Sequence, residues 1–244
     1  MNKVLYTVGE NKKIAENVYR MVLLGDTSEI KNPGQFVNIK LEGKYLRRPI
    51  SVCDCEEGKL TIIYKGVGHG TDQMSGLNEG TVLDVLSGLG NGYDISEAGD
   101  CPLLIGGGVG VPPLYKLAKE LVKQGKKVSV VLGFNTASDV FYVDEFKALT
   151  PDVFVSTVDG SYGKKGFVTD ILPENYSFVY TCGPEPMLKA VYKASKTSGQ
   201  FSFEARMGCG FGACMGCSCK TITGYKRICK DGPVMKKEEI LWED

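Results

Sequence analysis

Four cysteines crowd into Cys209-Gly-Phe-Gly-Ala-Cys214-Met-Gly-Cys217-Ser-Cys219, and a fifth follows at Cys229. Cys209, Cys214, Cys217 and Cys229 are spaced C-x4-C-x2-C-x11-C, three close thiols and one remote. That is the order by which plant-type iron–sulfur proteins hold a [2Fe-2S] cluster. Two irons need four converging thiolates, and the intervening glycines let the backbone fold around inorganic sulfide without Cβ clashes. Cys219 is the rival for fourth ligand. It stands so near Cys217 that reaching the far iron would strain it, whereas the remote Cys229 closes the loop easily. Zinc would use similar thiolates, but the spacing departs from the paired C-x2-C of zinc knuckles. The expected chemistry is one-electron transfer.

Three further stretches carry residue types suited to a nucleotide. Gly106-Gly107-Gly108-Val109-Gly110-Val111-Pro112-Pro113 runs from an apolar strand into a helix start, where bare N–H groups can meet a pyrophosphate. It departs from G-x-G-x-x-G, since Val111 stands where the last glycine belongs, so a merely tight strand–helix turn is the competing reading. In Tyr45-Leu-Arg47-Arg48-Pro49-Ile50-Ser51, an arginine beside a strand can neutralise phosphate and Ser51 can hydrogen-bond a flavin ring. Solvated arginines on an ordinary strand are the alternative. Thr181-Cys182-Gly183-Pro184 sets a small soft side chain at a strand's carboxyl end, where doubly wound sheets bind ligands. A simply buried cysteine would look the same.

The elements that must position these residues fall into three stretches. Residues 1–97 alternate in short runs, with Val37, Ile39 and Leu41 against Asn38 and Lys40, and with turns at Asn32-Pro33-Gly34 and Glu57-Gly58. This predicts a small antiparallel β-barrel, with one or two helical turns at Asp72–Ser75. Residues 98–200 alternate strands with helices: Leu114, Leu117, Ala118 and Leu121 recur at helical spacing between apolar strands. A doubly wound parallel sheet is expected there. From 201 to 244 periodicity fades into glycine, cysteine and short polar runs, a stretch too small to bury its own core and in need of a metal staple.

Composition sets the outer limits. Lys plus Arg and Asp plus Glu are 29 each, which argues against a nucleic-acid or anionic-membrane partner. No apolar run reaches membrane-spanning length. Nine cysteines, an odd number with several in apolar strands, fit a reducing compartment, so the cytoplasm is the expected location.

Taken together, Arg48-Pro-Ile-Ser51, the Gly106–Pro113 turn and Cys182-Gly-Pro resemble the ferredoxin-reductase-like flavoproteins. With Leu46-Arg-Arg-Pro-Ile-Ser51, Gly88-Leu-Gly-Asn-Gly92, Glu204-Ala-Arg-Met-Gly-Cys209 and the cysteine spacing added, the whole chain resembles the electron-transfer subunits of type B, NAD-dependent dihydroorotate dehydrogenases. The resemblance implies an FAD-binding barrel over 1–97, an NAD-binding domain over 98–200 and a [2Fe-2S] domain over 201–244. It implies that Arg48, Pro49, Ile50 and Ser51 line FAD, Arg48 towards the diphosphate and Ser51 towards the isoalloxazine. Ile63, Tyr64, Lys65, Gly70 and Thr71 would complete that site, and Gly107, Gly108 and Gly110 would take the nucleotide phosphates. Ser51 and Cys182 would flank the reacting rings, and Cys209, Cys214, Cys217 and Cys229 would be the cluster ligands. An FMN-containing catalytic subunit, two copies of each chain forming a heterotetramer, would oxidise dihydroorotate for pyrimidine synthesis. A related subunit of a sulfite reductase, hydrogenase or ferredoxin:NADP reductase complex is the alternative. The loop Gly133–Asp139 offers no Arg or Lys for a 2′-phosphate, which favours NAD over NADP.

Overall fold

The structure is a computed structural model, and it describes residues 1–242. Strands β1 (Asn2–Ala15), β2 (Val18–Leu24), β3 (Phe36–Ile39), β4 (Arg48–Glu56), β5 (Lys59–Lys65) and β6 (Val82–Leu89), with helix α1 (His69–Ser75) before β6, form the first unit. The strands close into an antiparallel barrel in the order β1-β2-β5-β4-β3-β6. Period-two alternation puts Val37, Ile39, Val52, Leu60 and Ile62 inside the barrel with Tyr6, Met21 and Leu23. Successive side chains of β4 turn to opposite faces, so the neighbours Val52 and Cys53 are both buried, each in a different core. Val52 fills the barrel, while Cys53 faces out into the second unit's core.

The second unit runs β7 (Leu103–Gly107), α2 (Pro113–Lys123), β8 (Ser129–Phe134), α3 (Val143–Lys147), β9 (Val153–Thr157), β10 (Lys164–Lys165), β11 (Val179–Cys182), α4 (Glu185–Ala194) and β12 (Gly199–Ser202). Its sheet order is β10-β9-β8-β7-β11-β12, all parallel. The strands are apolar on both sides because helices cover both faces. Leu104 and Val130 pack under Leu114, Leu117 and Leu121 of α2, while Leu103 and Ile105 pack under Leu188 and Val191 of α4. Each buried leucine contributes about 1.5–3 kcal/mol. The expected barrel and doubly wound sheet are both present. Strand order reverses between β7 and β11, which opens a crevice at their carboxyl ends.

The C-terminal segment behaves differently from its expectation. It supplies a hairpin, β13 (Ser218–Thr221) and β14 (Gly224–Arg227), then β15 (Val234–Lys236), which joins the parallel sheet antiparallel to β12. The expected boundary between 200 and 201 therefore falls inside β12, and the sheet continues to Lys236. The physical reason is economy of core. Cys217, Ile228, Cys229 and Met235 bury themselves against Phe36 and Leu89 of the barrel and Phe201 of the sheet. Trp242 packs on its own chain, 5.6 Å from the Phe203 ring and 6.0 Å from the Tyr192 ring.

Candidate functional site

The crevice between β7 and β11 is where two of the sequence motifs meet. A Cβ on Gly110 would lie 2.3 Å from the Cys182 carbonyl oxygen, so only glycine lets the first turn after β7 approach the end of β11. Gly108 adds a positive φ of 52°. Main chain therefore lines the floor of a 510 Å³ cavity bounded by Gly107, Gly108 and Val109, by Pro184 and Met187 of the α4 entry, and by Gly133, Phe134 and Ser156 at the ends of β8 and β9. Its size and mixed lining suit a nicotinamide nucleotide.

Cys182, at the strand end, is buried, and its thiol is pushed up to about 12, first by burial and then by the nearby Glu204 carboxyl. It is a neutral, polarisable surface rather than a thiolate nucleophile. Burial likewise raises Glu204 above the ordinary carboxylate range. Tyr93 supports the same corner, its hydroxyl donating to the Thr181 carbonyl at 3.0 Å. Sequence reasoning passed over Glu204 and Tyr93 as site residues. Glu204 stood in a quoted motif, and its position just beyond an apolar strand was the available signal.

On the barrel, register gathers the flavin candidates unevenly. Arg48, Pro49, Ile50 and Ser51 open β4, with Pro49 opposite Asn38 and Ser51 opposite Phe36. The Arg48 guanidinium lies directly over Gly70, so Arg48 and the first turn of α1 converge. A cation beside unpaired first-turn N–H groups suits a diphosphate. The Thr71 hydroxyl is already engaged: it accepts from Val67 N at 2.9 Å and donates to the Gly68 carbonyl at 3.0 Å. Its main chain is what it can offer a ligand.

The next trio turns its side chains with the period of two of a strand. Tyr64 points into the barrel core and donates to Asn11 Oδ1 at 2.9 Å, so its ring is no ligand contact and only its backbone qualifies. Ile63 packs into the second unit's core. Lys65 reaches the nucleotide cavity and pairs with Asp139 at 3.5 Å. A lysine thus enters beside the loop Gly133–Asp139 from the barrel, which reading that loop alone did not reveal.

The cysteine loop presents its thiols two by two. Cys209 Sγ accepts from Ala213 N at 3.2 Å and Cys214 N at 3.5 Å, and Cys214 Sγ accepts from Cys209 N at 3.5 Å. Deeper in, Cys217 Sγ accepts from Cys229 N at 3.4 Å. At Cys209 burial opposes ionisation, but main-chain N–H groups of Phe211, Cys214 and Ala213 outweigh it and bring the thiol to about 6. Burial, then the Cys217 thiol, push Cys229 up to about 12. Among the described residues, no three His, Cys, Asp or Glu side chains surround one point. Two pairs of thiols fit a two-iron cluster, which takes two ligands on each iron. Arg227 braces the loop: its guanidinium forks onto Asp231 at 2.9 and 3.1 Å and donates to the Gly212 carbonyl at 3.0 Å. Cys219 lies apart, its Sγ 3.9 Å from Met235 Sδ.

Known proteins align with this geometry. Residues 204–241 match the iron–sulfur cluster binding domain of dihydroorotate dehydrogenase B, and residues 104–193 match the oxidoreductase NAD-binding domain. The electron transfer subunit of dihydroorotate dehydrogenase B (NAD(+)) from Bacillus pumilus is 46% identical, with 98% of each chain covered. The subunit so named from Fusobacterium nucleatum is also 46% identical, with 96% of each chain covered. A solved chain from an NADH-dependent reduced ferredoxin-NADP oxidoreductase superposes with a TM-score of 0.87 at 33% identity, covering 97% of this chain and 90% of that one.

Proposed function

The chain belongs to the family of dihydroorotate dehydrogenase B (NAD(+)) electron transfer subunits, and on that premise we propose that it relays electrons between NAD(H) and a catalytic partner subunit. It is an oxidoreductase subunit whose redox groups are NAD, FAD and a [2Fe-2S] cluster. One observation carries the reading: a nucleotide cavity at a strand-order reversal and a loop of paired thiols are built into one chain. Glu204 spans the interval, its carboxyl close to Cys182 and its chain position shortly before Cys209.

The residues divide the work by chemistry. Main-chain N–H groups at Gly107, Gly108 and Gly110 take the nucleotide phosphates. Arg48, with the Gly70–Thr71 turn, takes the flavin diphosphate; Pro49, Ile50, Ser51 and the backbone of Ile63–Lys65 line the rest of that site. Ser51 supplies a hydroxyl at the flavin ring, and Cys182 keeps a neutral, water-excluding surface beside the nicotinamide. Cys209, Cys214, Cys217 and Cys229 hold the cluster. When bound, FAD supplies the exchange between hydride and single-electron transfer, and the cluster supplies a one-electron port.

The partner in this reading is an FMN-containing subunit that oxidises dihydroorotate to orotate for pyrimidine synthesis, in a heterotetramer with two copies of each chain. Exposed Phe211, Met215 and Tyr225 around the cysteine loop support docking there. Among the described residues no helix is long and apolar enough to cross a membrane. All nine cysteines are unpaired, which supports a cytoplasmic location. The test is to combine the FAD- and cluster-loaded chain with the FMN subunit and follow NADH oxidation with orotate as acceptor. Orotate-dependent turnover is expected. Reduction of flavin and cluster by NADH without any turnover on orotate would favour a second reading, the same relay serving another oxidoreductase, which the 33% identical solved chain keeps in view.

A further inference from the structure

Asn38 is an unexpected residue for its surroundings. It is only 1% exposed, in the middle of the short strand β3, and its Oδ1 has no hydrogen-bond partner. An unpaired buried acceptor is costly, and an apolar residue of similar shape would avoid that cost. Stability of the barrel therefore does not explain the choice.

Its neighbours do. Val37 and Ile39 point into the barrel, so Phe36 and Asn38 share the outer face. On that face Phe36 packs in the same cluster of side chains as Cys217 and Cys229. Asn38 Nδ2 donates to the Cys209 carbonyl at 3.3 Å. The cysteine loop makes room for this contact: a Cβ on Gly210 would stand 2.3 Å from Asn38 Nδ2, and Gly210 has a φ of 79°. Directly across the ladder, Pro49 pairs with Asn38 and Ser51 with Phe36. Residues opposite each other in a ladder face the same side. One face of one strand pair thus carries two flavin candidates on β4 and the cluster-loop contacts on β3. The strand itself is pinned, because Arg47 donates to the Asn38 carbonyl at 3.3 Å while pairing with Asp84 at 2.8 Å.

We propose that Asn38 is a positioning residue for electron passage between flavin and cluster: its amide fixes the Cys209 end of the cluster loop against the strand pair that carries Pro49 and Ser51. The inference rests on the relay reading above. Each NADH delivers two electrons as a hydride, and these leave singly, one for each cluster reduced. Asn38 touches neither the nicotinamide cavity nor a cluster sulfur in the hydrogen bonds observed, so its effect falls on the second transfer alone.

The experiment uses the FAD- and cluster-loaded chain and its Asn38→Leu variant, compared for iron and flavin content, thermal midpoint, stopped-flow kinetics with NADH, and the spin-resonance signal of the reduced cluster. Asn38→Leu is expected to keep its cofactors and to melt at or above the wild-type temperature. Its flavin should bleach within about twofold of the wild-type rate, while cluster reduction slows by about tenfold, the equilibrium worth of one lost hydrogen bond to the loop position. The g-values of the reduced cluster should shift. Cluster reduction at the wild-type rate, or parallel slowing of both transfers, overturns the proposal. If Asn38→Leu loses its cofactors, Asn38→Ala, which removes the donor without adding bulk or charge, is read against the same two outcomes. Wild-type protein whose flavin is reduced by NADH but whose cluster is not would instead sink the relay reading.

Discussion

The nucleotide crevice and the cysteine loop are two ways of building a site. The crevice is made of main chain held by a large core: Gly110 against the Cys182 carbonyl, with Leu104, Val130 and Leu132 behind it. The loop is made of side-chain sulfur, with Cys217 and Cys229 set in the shared core while Cys214, Phe211 and Met215 lie open to solvent. The first is shaped before any ligand arrives. The exposed half of the second gains order from what it binds, since metal-binding energy is folding energy where a core is lacking. Close backbone approach is broken by adding an atom; a thiolate cage is broken by removing one.

The largest effect should come from Cys217→Ser or Cys229→Ser. Iron content should fall to about a tenth or less, and cluster reduction by at least about a hundredfold, because a lost ligand removes much of the binding energy. NADH should still bleach the flavin at close to the wild-type rate. Loss of both activities together would mean that the two regions are not separable in the way described.

Gly110→Ala attacks the other construction principle. The added methyl has no space beside the Cys182 carbonyl, so a loss of about 1–3 kcal/mol is expected, read as a lower urea midpoint. Flavin reduction by NADH should weaken about tenfold or more while iron content stays level. An unchanged NADH response would show that the crevice tolerates a wider turn.

Glu204→Gln tests the border between the two. Burial raises the Glu204 carboxyl, so folding favours its protonated form. That contribution is fully present below the unfolded-state pKa of about 4.3 and is lost as pH rises through the folded value. The glutamine variant should therefore gain thermal stability relative to wild type as pH rises from 4 to about 8, by less than about 2 kcal/mol. A constant difference across that range would deny the burial argument.

The smallest effect belongs to Lys65→Ala. The Lys65–Asp139 pair is partly exposed, and such pairs contribute about 0–1 kcal/mol. Stability should hardly move, whereas the KM for NADH should change by about twofold to fivefold, since one charge at the mouth of the cavity is removed. A KM identical to wild type would confine the pair to joining the two units.

Legibility in the sequence followed the same division. The Gly106–Pro113 turn and the cysteine spacing could be read because both chemistries impose a local order of residue types. The strand pattern of the barrel was equally plain, as the alternation of Val37, Asn38 and Ile39 maps directly onto inside and outside. Asn38 itself was read only as the polar half of that alternation, since its partner at Cys209 is far away in the chain. The direction of the Tyr64 side chain was not legible, because a motif reports neighbours in order and not the side to which each one turns; its ring lies in the barrel core and leaves its backbone for a ligand. That the sheet runs on past residue 200 was not legible, because β15 is three residues long and carries no signature of the sheet it completes.

That short strand has a consequence for the life of the protein. Ser202 and Val234 lie side by side, so the cysteine loop leaves the sheet and returns to the same place. With its ends already joined, the loop has less closure entropy to lose when the irons arrive. The iron centre is in that sense a serviceable part. Its socket is framed by the same sheet that builds the crevice for the nucleotide.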